Sequence, residues 1–371
     1  MFQKAVMFGL AFAGIVASLS CGATASHYVY ATIPVANQLA AFREDPNSGV
    51  LTELVGSPYS VGDGAHSIVI HPSGQFLYVA NPGEGANGEN DISLFSINSQ
   101  GGLTEIFPRT PLGSSASVPQ VLVMDPAGAY LYVLNAGSYN ISVFSINTGS
   151  SGTLGSLTQV PNSPFAIGVP PLNMVITPTG NFLYVSTVGS TISGELVGYS
   201  LNKGQLSRAS LTASDGLNPF GLAVNSSGSY LYAANTSSNS ISIFSISSSG
   251  GLTEVAGSPI NNNYSSPVSM AFDASGDYLY VANEGSSNIT AYAISSSTGL
   301  PVALTTSTTN NAFGANNDPS FLAVDPNGNY MFLANQASTA YIQSFTISSG
   351  TLTILTNYKV GNTASWIAVL K

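Results

Sequence analysis

An all-β fold made of seven copies of one four-stranded unit is predicted by three features of the sequence. An aromatic-Leu-Tyr-Val-Ala-Asn segment or a variant of it recurs about every 51 residues, as at Phe76–Asn81, Tyr130–Asn135 and Tyr278–Asn283. It is followed by an Ile-Ser-x-Phe-Ser-Ile segment or a variant, whose alternation is typical of a strand. Beyond residue 20, no segment shows the period of an amphipathic helix. Seven such units describe a seven-bladed β-propeller with four antiparallel strands per blade.

Each unit is predicted to begin with a short apolar strand that leads into a tight turn. Ser67–Ile70 is one such strand, and the turn after it is His71–Gly74. The equivalent turn Asp125–Gly128 has Asp in its first position and Gly in its last, which fits a type I turn between antiparallel strands. The Leu-Tyr-Val segment is the second strand and the Ile-Ser-x-Phe segment the third. The fourth strand begins at a Gly-Leu-Thr sequence, as at Leu103.

The two ends of the chain are predicted to share one blade. The first copy of the repeat starts with a second strand, Tyr28–Ala31, whereas the chain ends with a segment typical of a first strand, Trp366–Leu370. The C-terminal strand is therefore expected to supply the inner strand of the N-terminal blade and to close the ring, leaving no unpaired inner edge. A single propeller domain is expected over residues 27–371.

The N-terminus has the features of an export signal. Residues 1–20 contain Lys4 followed by an apolar run that is shorter than the roughly 20 residues of a membrane-spanning helix and typical of a signal peptide. Cys21 stands where a bacterial lipobox places its lipidated cysteine, and Ala23-Thr24-Ala25 is an alternative cleavage site. We therefore expect a cell-envelope lipoprotein, periplasmic or attached to the outer membrane, or alternatively a secreted protein cleaved after Ala25.

The composition limits the kinds of partner. Charged residues make up 6% of the chain, and 7 Lys and Arg against 17 Asp and Glu give a net charge of −10. So few cations cannot neutralise a row of phosphates, so nucleic-acid binding is not expected. The single cysteine excludes an internal disulfide and cysteine-clustered metal sites. Contact with a membrane is expected only through a lipid on Cys21.

No cofactor and no metal site are expected. Three aspartates, Asp125, Asp273 and Asp325, occupy equivalent turns of different blades and are not expected to converge on one ion. The loop that contains Glu84, Glu89 and Asp91 offers oxygens that suit Ca²⁺. We interpret it as a solvated loop instead, because it is rich in Gly and Asn.

Side chains near the start of each inner strand are expected to meet at one mouth of the central channel. The first ring of these positions consists of His66, Gln120, Leu172, Phe220, Val268, Ser320 and Ser365. The next ring consists of Ser67, Val121, Asn173, Gly221, Ser269, Phe321 and Trp366. The residues that end the second strands, such as Asn81 and Asn283, are expected to point to the same side, although an Asn at this position commonly hydrogen-bonds the following turn.

This mouth is predicted to be polar and aromatic but almost uncharged. Such a surface suits a neutral, hydroxyl-rich ligand that is held by amides and stacked on rings. It does not suit a phosphate, which needs an Arg partner. The candidate ligand-binding residues are Gln120, Asn173, Phe220, Ser269, Ser320, Trp366, Asn81 and Asn283.

The three histidines are assigned three different positions. His66 alone is expected at the channel mouth, where it could act as a base near neutral pH; a solvated histidine with no catalytic role is the alternative. His71 takes the turn position that Asp holds in other blades and is expected to cap the turn. His27 lies in the first copy of the repeat and is expected to be an exposed strand residue.

The repeats resemble those of the seven-bladed β-propeller lactonase family, which includes a bacterial 6-phosphogluconolactonase and the fungal carboxy-muconate lactonising enzyme. The resemblance covers residues 27–371 and extends to propellers with Tyr-Val-Thr-Asn repeats. The suspected active blade of the family carries Pro-Arg-His before the inner strand and Asn-Glu after the second strand. In this chain, Pro267 and Asn283-Glu284 match, whereas Val268 and Ser269 replace the Arg and His. The resemblance implies a lactonase in which Glu284 acts as a base on water, with His66 as a substitute for the missing histidine.

Two functions are compatible with these observations. The missing Arg-His pair and the uncharged mouth favour a non-catalytic propeller of the cell envelope, which binds a neutral small molecule, a glycan or an envelope protein. The alternative is a lactone hydrolase with an activity like that of 6-phosphogluconolactonase, acting on an uncharged sugar lactone through Glu284 and His66.

Overall fold

Seven antiparallel sheets make up the structure, and each contains four strand positions. The computed structural model describes residues 27–83, 89–149, 153–188, 194–213, 216–304, 312–315, 317–336 and 341–370. The inner strands of successive sheets contact one another in a closed circle. The predicted seven-bladed propeller is therefore confirmed. The proposed signal peptide, Cys21 and the cleavage site at Ala25 lie outside the described residues.

The blades are numbered here in chain order, and the strands of each blade are given from the channel outward. In blades 1, 3, 5 and 6, two short segments share the outer position. Blade 1 contains Ile367–Leu370, His27–Ile33, Gln38–Glu44, Leu51–Glu53 and Tyr59–Ser60, and blade 2 contains Ile68–Ile70, Phe76–Asn81, Asp91–Ile97 and Leu103–Pro111. Blade 3 contains Pro119–Met124, Tyr130–Asn135, Asn140–Ile146, Leu157–Gln159 and Phe165–Ala166. Blade 4 contains Pro171–Ile176, Phe182–Thr187, Glu195–Asn202 and Gln205–Ala213. Blade 5 contains Pro219–Val224, Tyr230–Asn235, Ser240–Ile246, Leu252–Glu254 and Ile260–Asn261. Blade 6 contains Pro267–Phe272, Tyr278–Asn283, Asn288–Ile294, Pro301–Ala303 and Ala312–Gly314. Blade 7 contains Pro319–Val324, Tyr330–Asn335, Tyr341–Ser348 and Thr351–Lys359.

Helical structure is almost absent from the described part of the chain. It is limited there to one short 3₁₀ helix, Pro34–Ala36, which links the second and third strands of blade 1. Within the same residues, no helix has the length and apolar character needed to cross a lipid bilayer.

The ring closes through the two ends of the chain, as the sequence predicted. The C-terminal strand Ile367–Leu370 pairs antiparallel with the strand His27–Ile33, in a register that runs from Tyr28–Leu370 to Ala31–Ile367. Just before this strand, the Trp366 carbonyl accepts the Thr32 N–H at 3.1 Å, and the Trp366 N–H donates to the Thr32 hydroxyl. The inner edge of the strand His27–Ile33 is therefore paired from Tyr28 to Thr32.

The hydrophobic core lies between the blades rather than within any one of them. Among the described residues, buried side chains form seven separate clusters, and each cluster joins two neighbouring blades. Because strand residues alternate between faces, each sheet buries one face against the preceding blade and the other against the following blade. No blade can bury its apolar surface alone, so the seven blades depend on one another for stability.

A tyrosine in the second strand links each of several blades to the next. The phenol hydroxyls of Tyr30, Tyr78 and Tyr232 each donate to a glycine carbonyl in the following blade at 2.7 Å. These glycines, such as Gly155, have positive φ and lie against an aromatic ring of the preceding blade. A Cβ at Gly155 would come within 2.7 Å of the Phe76 ring, so only glycine allows the blades to approach this closely.

The predicted turns between the first and second strands are present. In each turn the glycine N–H donates to the carbonyl of the first turn residue, as for Gly74 with His71 and Gly128 with Asp125. The prediction that His71 caps its turn is confirmed, because its Nδ1 accepts the Ser73 N–H at 3.0 Å. Its Nε2 donates to the Gly128 carbonyl of the next blade, also at 3.0 Å. His71 therefore also connects two blades.

The expectation that His27 is exposed is wrong. Its exposed fraction is 2%, and it lies beside Glu44 of its own blade and Asp325 of blade 7. Ring closure is the physical reason, because it brings the turn that contains Asp325 and Asn327 in the last blade against His27. The aspartates of equivalent turns do stay apart, but Asp325 meets these two other side chains.

The first prediction compares two equivalent tyrosines. Tyr78→Phe removes the hydrogen bond to the Gly155 carbonyl and should lower the free energy of unfolding by about 1 kcal/mol. Tyr280→Phe is the matched control, because among the described residues the buried Tyr280 hydroxyl has no hydrogen-bond partner, and this change should be neutral or stabilising. Urea unfolding of both variants measures the difference. Equal destabilisation would show that the tyrosine–glycine bond does not contribute.

The second prediction concerns ring closure. Deletion of residues 365–371 removes the strand Ile367–Leu370 and leaves the strand His27–Ile33 with an unpaired edge. The variant should lose its cooperative thermal transition and become larger in X-ray scattering, because two interfaces between blades open. Deletion of Lys371 alone, which follows the strand Ile367–Leu370 in the sequence, is the control. An unchanged melting temperature after the longer deletion would contradict a closed ring.

Candidate active site

A cavity of about 350 Å³ lies where the inner strands begin. It is lined by side chains from several blades, and most positions of the two predicted rings contribute to it. The ring positions in the lining are His66, Val121, Asn173, Phe220, Gly221, Val268, Ser269, Ser320, Phe321, Ser365 and Trp366. Three residues expected in the rings, Ser67, Gln120 and Leu172, are not part of the lining.

Irregular strand pairing explains why two successive residues of an inner strand can line the same cavity. In five blades, the pairing register between the first and second strands shifts directly after the initial proline. The residue left without a cross-strand partner is Gln120, Leu172, Phe220, Val268 or Ser320. Such a bulge bends the strand and changes the direction of the side chain. The strict alternation of a regular strand is therefore broken at the mouth.

Aromatic rings form one side of the cavity. The Trp366 indole stacks on the Phe321 ring, with ring centroids 4.3 Å apart and planes at 29°. The His66 imidazole lies against the same indole, with 5.9 Å between the centroids. Phe220 adds a further ring to the lining. These flat, apolar faces can pack against the C–H face of a sugar ring while leaving its hydroxyls free to hydrogen-bond.

His66 is held as a neutral imidazole with one free nitrogen. Its Nδ1 lies 2.9 Å from the Gln120 carbonyl oxygen. A carbonyl can only accept, so Nδ1 carries the hydrogen and Nε2 is left with a lone pair. Burial lowers the pKa of His66 from 6.5, although the hydrogen bond to Gln120 opposes this change. In the described part of the chain, no hydrogen bond engages Nε2, which is therefore available to accept a proton.

Glu284 directly follows the second strand of blade 6 and lines the same cavity. Its backbone N–H donates to the Ser266 carbonyl at 2.8 Å, which fixes the start of its side chain. Burial, and then the neighbouring carboxylate of Asp318, raise the pKa of Glu284 above 4.5. Its carboxylate makes no hydrogen bond or ion pair to any described residue. A half-buried carboxylate with a raised pKa has the properties of a general base.

Thr236 and Gln336 also line the cavity, although they are not among the positions predicted from the sequence. Each occupies the position equivalent to Glu284, directly after the asparagine that ends a second strand. The repeat register would have identified them if it had been extended by one residue. Gln336 is exposed, carries amide N–H donors and follows the second strand of blade 7, which is next to the blade of Glu284.

The three predicted polar ligands in the lining are already hydrogen-bonded to the backbone. The Asn173 amide donates to the Phe220 carbonyl and accepts the Met174 N–H. The Ser269 hydroxyl accepts the Leu322 N–H at 3.1 Å. The Ser320 hydroxyl donates to main-chain carbonyls, with the Ala334 oxygen at 3.1 Å. These side chains position neighbouring inner strands and leave few of their own groups for a ligand.

The expectation that Asn81 and Asn283 face the mouth is wrong, because both are fully buried. The Asn81 amide donates to Asp91 at 2.6 Å and to Ser93 at 3.0 Å, on the third strand of its blade. The Asn283 amide donates to Asn288 at 2.8 Å. These bonds hold the connection between the second and third strands, which is the alternative role considered for them.

The acidic loop of blade 2 is partly described. Glu84 lies outside the described residues. The Glu89 carboxylate lies 3.4 Å from the Arg109 guanidinium, and Asp91 is buried against the Asn81 amide. In this segment, the described carboxylates are thus paired with protein groups.

The charges of the cavity are few. Glu284 is the one carboxylate in the lining, and the described lining residues include no Lys or Arg. A phosphate group placed here would meet no cationic partner, whereas an uncharged ligand would meet aromatic faces and hydrogen-bonding groups. The cavity therefore favours a neutral molecule.

The chain matches a family model described as "Lactonase, 7-bladed beta-propeller", over residues 23–169, 172–263, 222–312 and 262–369. A 6-phosphogluconolactonase of Sodalis glossinidius is 28% identical over 209 residues, which cover 54% of this chain and 60% of the relative. A 6-phosphogluconolactonase of Erwinia tasmaniensis is 27% identical over 217 residues, which cover 54% and 59%. The chain thus matches about three fifths of the length of these relatives.

Solved structures share the fold at low sequence identity. The periplasmic gluconolactonase of Pseudomonas aeruginosa superposes with a TM-score of 0.77 and 17% identity, over 93% of this chain and 99% of that one. A protein from Lactobacillus plantarum superposes with a TM-score of 0.76 and 17% identity, over the same shares of the two chains. These likenesses confirm the seven-bladed architecture.

The third prediction concerns the protonation of His66. Because burial disfavours the imidazolium, the His66 ring should titrate with a midpoint below 6.5 and stay neutral at pH 7. Proton NMR of the imidazole C–H signals during a pH titration measures this, with His66→Gln used to assign the signal. A midpoint above 6.5 would show that the imidazole is not buried in its neutral form.

Proposed function

Because the chain belongs to the seven-bladed β-propeller lactonase family, we propose that it hydrolyses an uncharged sugar lactone in the channel cavity. The observation that carries the proposal is Glu284, whose carboxylate has no partner in the described structure and lines a cavity of sugar-ring size. The names of the relatives, 6-phosphogluconolactonase and gluconolactonase, support the same reaction class.

Hydrolysis needs a base for water and a route for the proton. Glu284 takes a proton from a bound water, and the water oxygen attacks the lactone carbonyl carbon to form a tetrahedral intermediate. The bond between this carbon and the ring oxygen then breaks, and the ring oxygen receives the proton held by Glu284. The product is an open hydroxy acid, and no covalent bond to the protein forms.

Two other groups of the cavity assist this reaction. The Gln336 amide offers an N–H donor to the negative oxygen of the intermediate. The neutral His66 holds a free Nε2 lone pair, which can accept a hydrogen bond from a substrate hydroxyl or from the attacking water. His66 is also the second candidate for the base. Burial lowers its pKa below 6.5, so the imidazole is unprotonated near neutral pH and can accept a proton.

The absence of cations in the described lining determines the preferred substrate. The Arg and His of the family pattern are replaced by Val268 and Ser269, both of which line the cavity. Without a cation, a phosphorylated lactone loses the interaction that would offset desolvation of its phosphate. We therefore propose a neutral aldonolactone rather than its 6-phosphate.

Export is compatible with this substrate. The predicted signal peptide would place the protein in the periplasm, on the outer membrane or outside the cell, where phosphorylated sugar intermediates of the cytoplasm are not supplied. The export signal and the lipid on Cys21 stay predictions from the sequence.

The fourth prediction tests the base. Gluconolactone turnover above the spontaneous rate, followed with a pH indicator, should fall about 100-fold or more in Glu284→Gln. Glu53→Gln is the matched control, because it makes the same change at an exposed outer-strand position and should leave turnover unchanged. Wild-type turnover should also fall as the pH is lowered to the raised pKa of Glu284, because only the ionised carboxylate can accept a proton.

The other arms of the experiment separate the alternatives. The 6-phosphate of gluconolactone should be a much poorer substrate than gluconolactone itself. A larger loss in His66→Gln than in Glu284→Gln would move the base to His66. Trp366 is the single tryptophan of the chain and lies in the cavity, so its fluorescence reports binding independently of turnover. Binding without turnover would support the non-catalytic hypothesis and overturn the lactonase proposal.

A further inference from the structure

Three buried titratable side chains meet where the last blade joins the first. His27 begins the second strand of blade 1, and Glu44 lies directly opposite it at the end of the third strand. Asp325 begins the turn that follows the inner strand of blade 7. Their exposed fractions are 2%, 0% and 1%. Ring closure therefore brings together one imidazole and two carboxylates that are far apart in the sequence.

The spacing of the three side chains suits a coordination shell. The Nδ1 atom of His27 lies 3.5 Å from Oε2 of Glu44 and 3.7 Å from Oδ2 of Asp325. One ligand atom from each residue lies within 4.8 Å of the other two. These separations are too long for hydrogen bonds. A tetrahedral zinc ion with bonds of about 2.1 Å holds its ligand atoms about 3.4 Å apart, which is close to the observed spacing.

An independent observation is that the polar atoms at the centre lack partners. Within the described residues, His27 Nδ1 and both carboxylate oxygens of Glu44 are buried and make no hydrogen bond. An unsatisfied buried carboxylate is costly, and it lies beside a second acidic group. A bound cation would satisfy these atoms and compensate the negative charge.

Neighbouring groups orient the potential ligands. One oxygen of Asp325 accepts the Tyr330 N–H at 2.7 Å, and the other accepts the Asn327 N–H at 3.1 Å. The Asn327 side-chain amide lies 3.3 Å from His27 Nε2. Since the oxygen and nitrogen of an amide can exchange places, Asn327 can accept the Nε2 hydrogen and leave the Nδ1 lone pair for a metal.

We propose that His27, Glu44 and Asp325 bind one zinc ion that ties blade 7 to blade 1. One imidazole and two carboxylates are ligands that zinc accepts, and the second oxygen of Glu44 or a water can complete the coordination. The cluster lies at the start of the second strands, whereas Glu284 follows the end of a second strand, so the ion is at the opposite end of the blades from the cavity. Its role is to stabilise the closed ring.

The fifth prediction is measured on the purified chain without a polyhistidine tag. After chelation and dialysis, zinc titration by calorimetry should give one ion per chain, with the melting temperature rising by about 4 °C at a hundredfold excess over Kd. Glu44→Gln should weaken zinc binding by about 100-fold or more. In the wild type, cobalt should replace zinc and give the visible absorption of a four-coordinate ion. Glu44→Gln should lose this absorption, which distinguishes the loss of a metal ligand from a change in stability alone.

The control variant is Glu53→Gln, an exposed residue of the same blade, which should bind zinc like the wild type. If metal-free Glu44→Gln does not fold, His27→Gln provides the same test and should also lose the cobalt spectrum. The proposal is overturned if the wild type binds no stoichiometric zinc or cobalt, or if Glu44→Gln binds zinc with wild-type affinity.

Discussion

The packing of each blade against the next is the constraint on which the rest of the structure depends. All seven hydrophobic clusters span two blades, so every sheet obtains its core from both neighbours. A chain built this way must return to its beginning, because an open ring would expose two apolar faces at once. The pairing of Ile367–Leu370 with His27–Ile33 meets this requirement with backbone hydrogen bonds, and Tyr330 packs against Gly49 across the same junction. The tyrosine and glycine repeats are therefore signals of contact between blades.

In this construction, the second-strand residues that hold the blades together differ from the bulged residues at the start of the inner strands. The second-strand tyrosines and the buried asparagines at the strand ends hold the blades, whereas the bulged residues of the inner strands have no cross-strand partner. A bulged position can therefore change from a cation to Val268 without disturbing the ladder. Ser269, which stands where the family pattern has His, is not bulged: it pairs with Ala282, and its hydroxyl accepts the Leu322 N–H. The chemistry of the cavity is then set by the residues at these positions and by Glu284 after the second strand.

The sequence predicted the blades, their number and their closure, because these follow from a repeat, an alternation and the position of the ends. It also placed His66, Phe220 and Trp366 at one mouth, since the inner strands of successive blades surround one axis, whereas Glu284 was named only through the family resemblance. It failed for Asn81 and Asn283, because the same strand-end position can direct an amide to the channel or to the next strand. It failed for His27 because burial there depends on a contact between residues about 300 positions apart, which no local pattern contains.

Because charged residues are scarce in this protein, each of its buried carboxylates calls for a physical explanation. Charged residues make up only 6% of the chain. A carboxylate that is withdrawn from water must then be stabilised by a partner or kept for a function, because few cations are available to compensate it. The buried Asp91 has such a partner in the Asn81 amide, whereas the carboxylates of Glu284 and Glu44, at opposite ends of the blades, make no hydrogen bond in the described structure. Glu284 faces a cavity where a substrate can enter, and Glu44 faces an imidazole and a second carboxylate at the junction of the ring. The accessible carboxylate suits the transfer of a proton, and the enclosed one suits the binding of an ion.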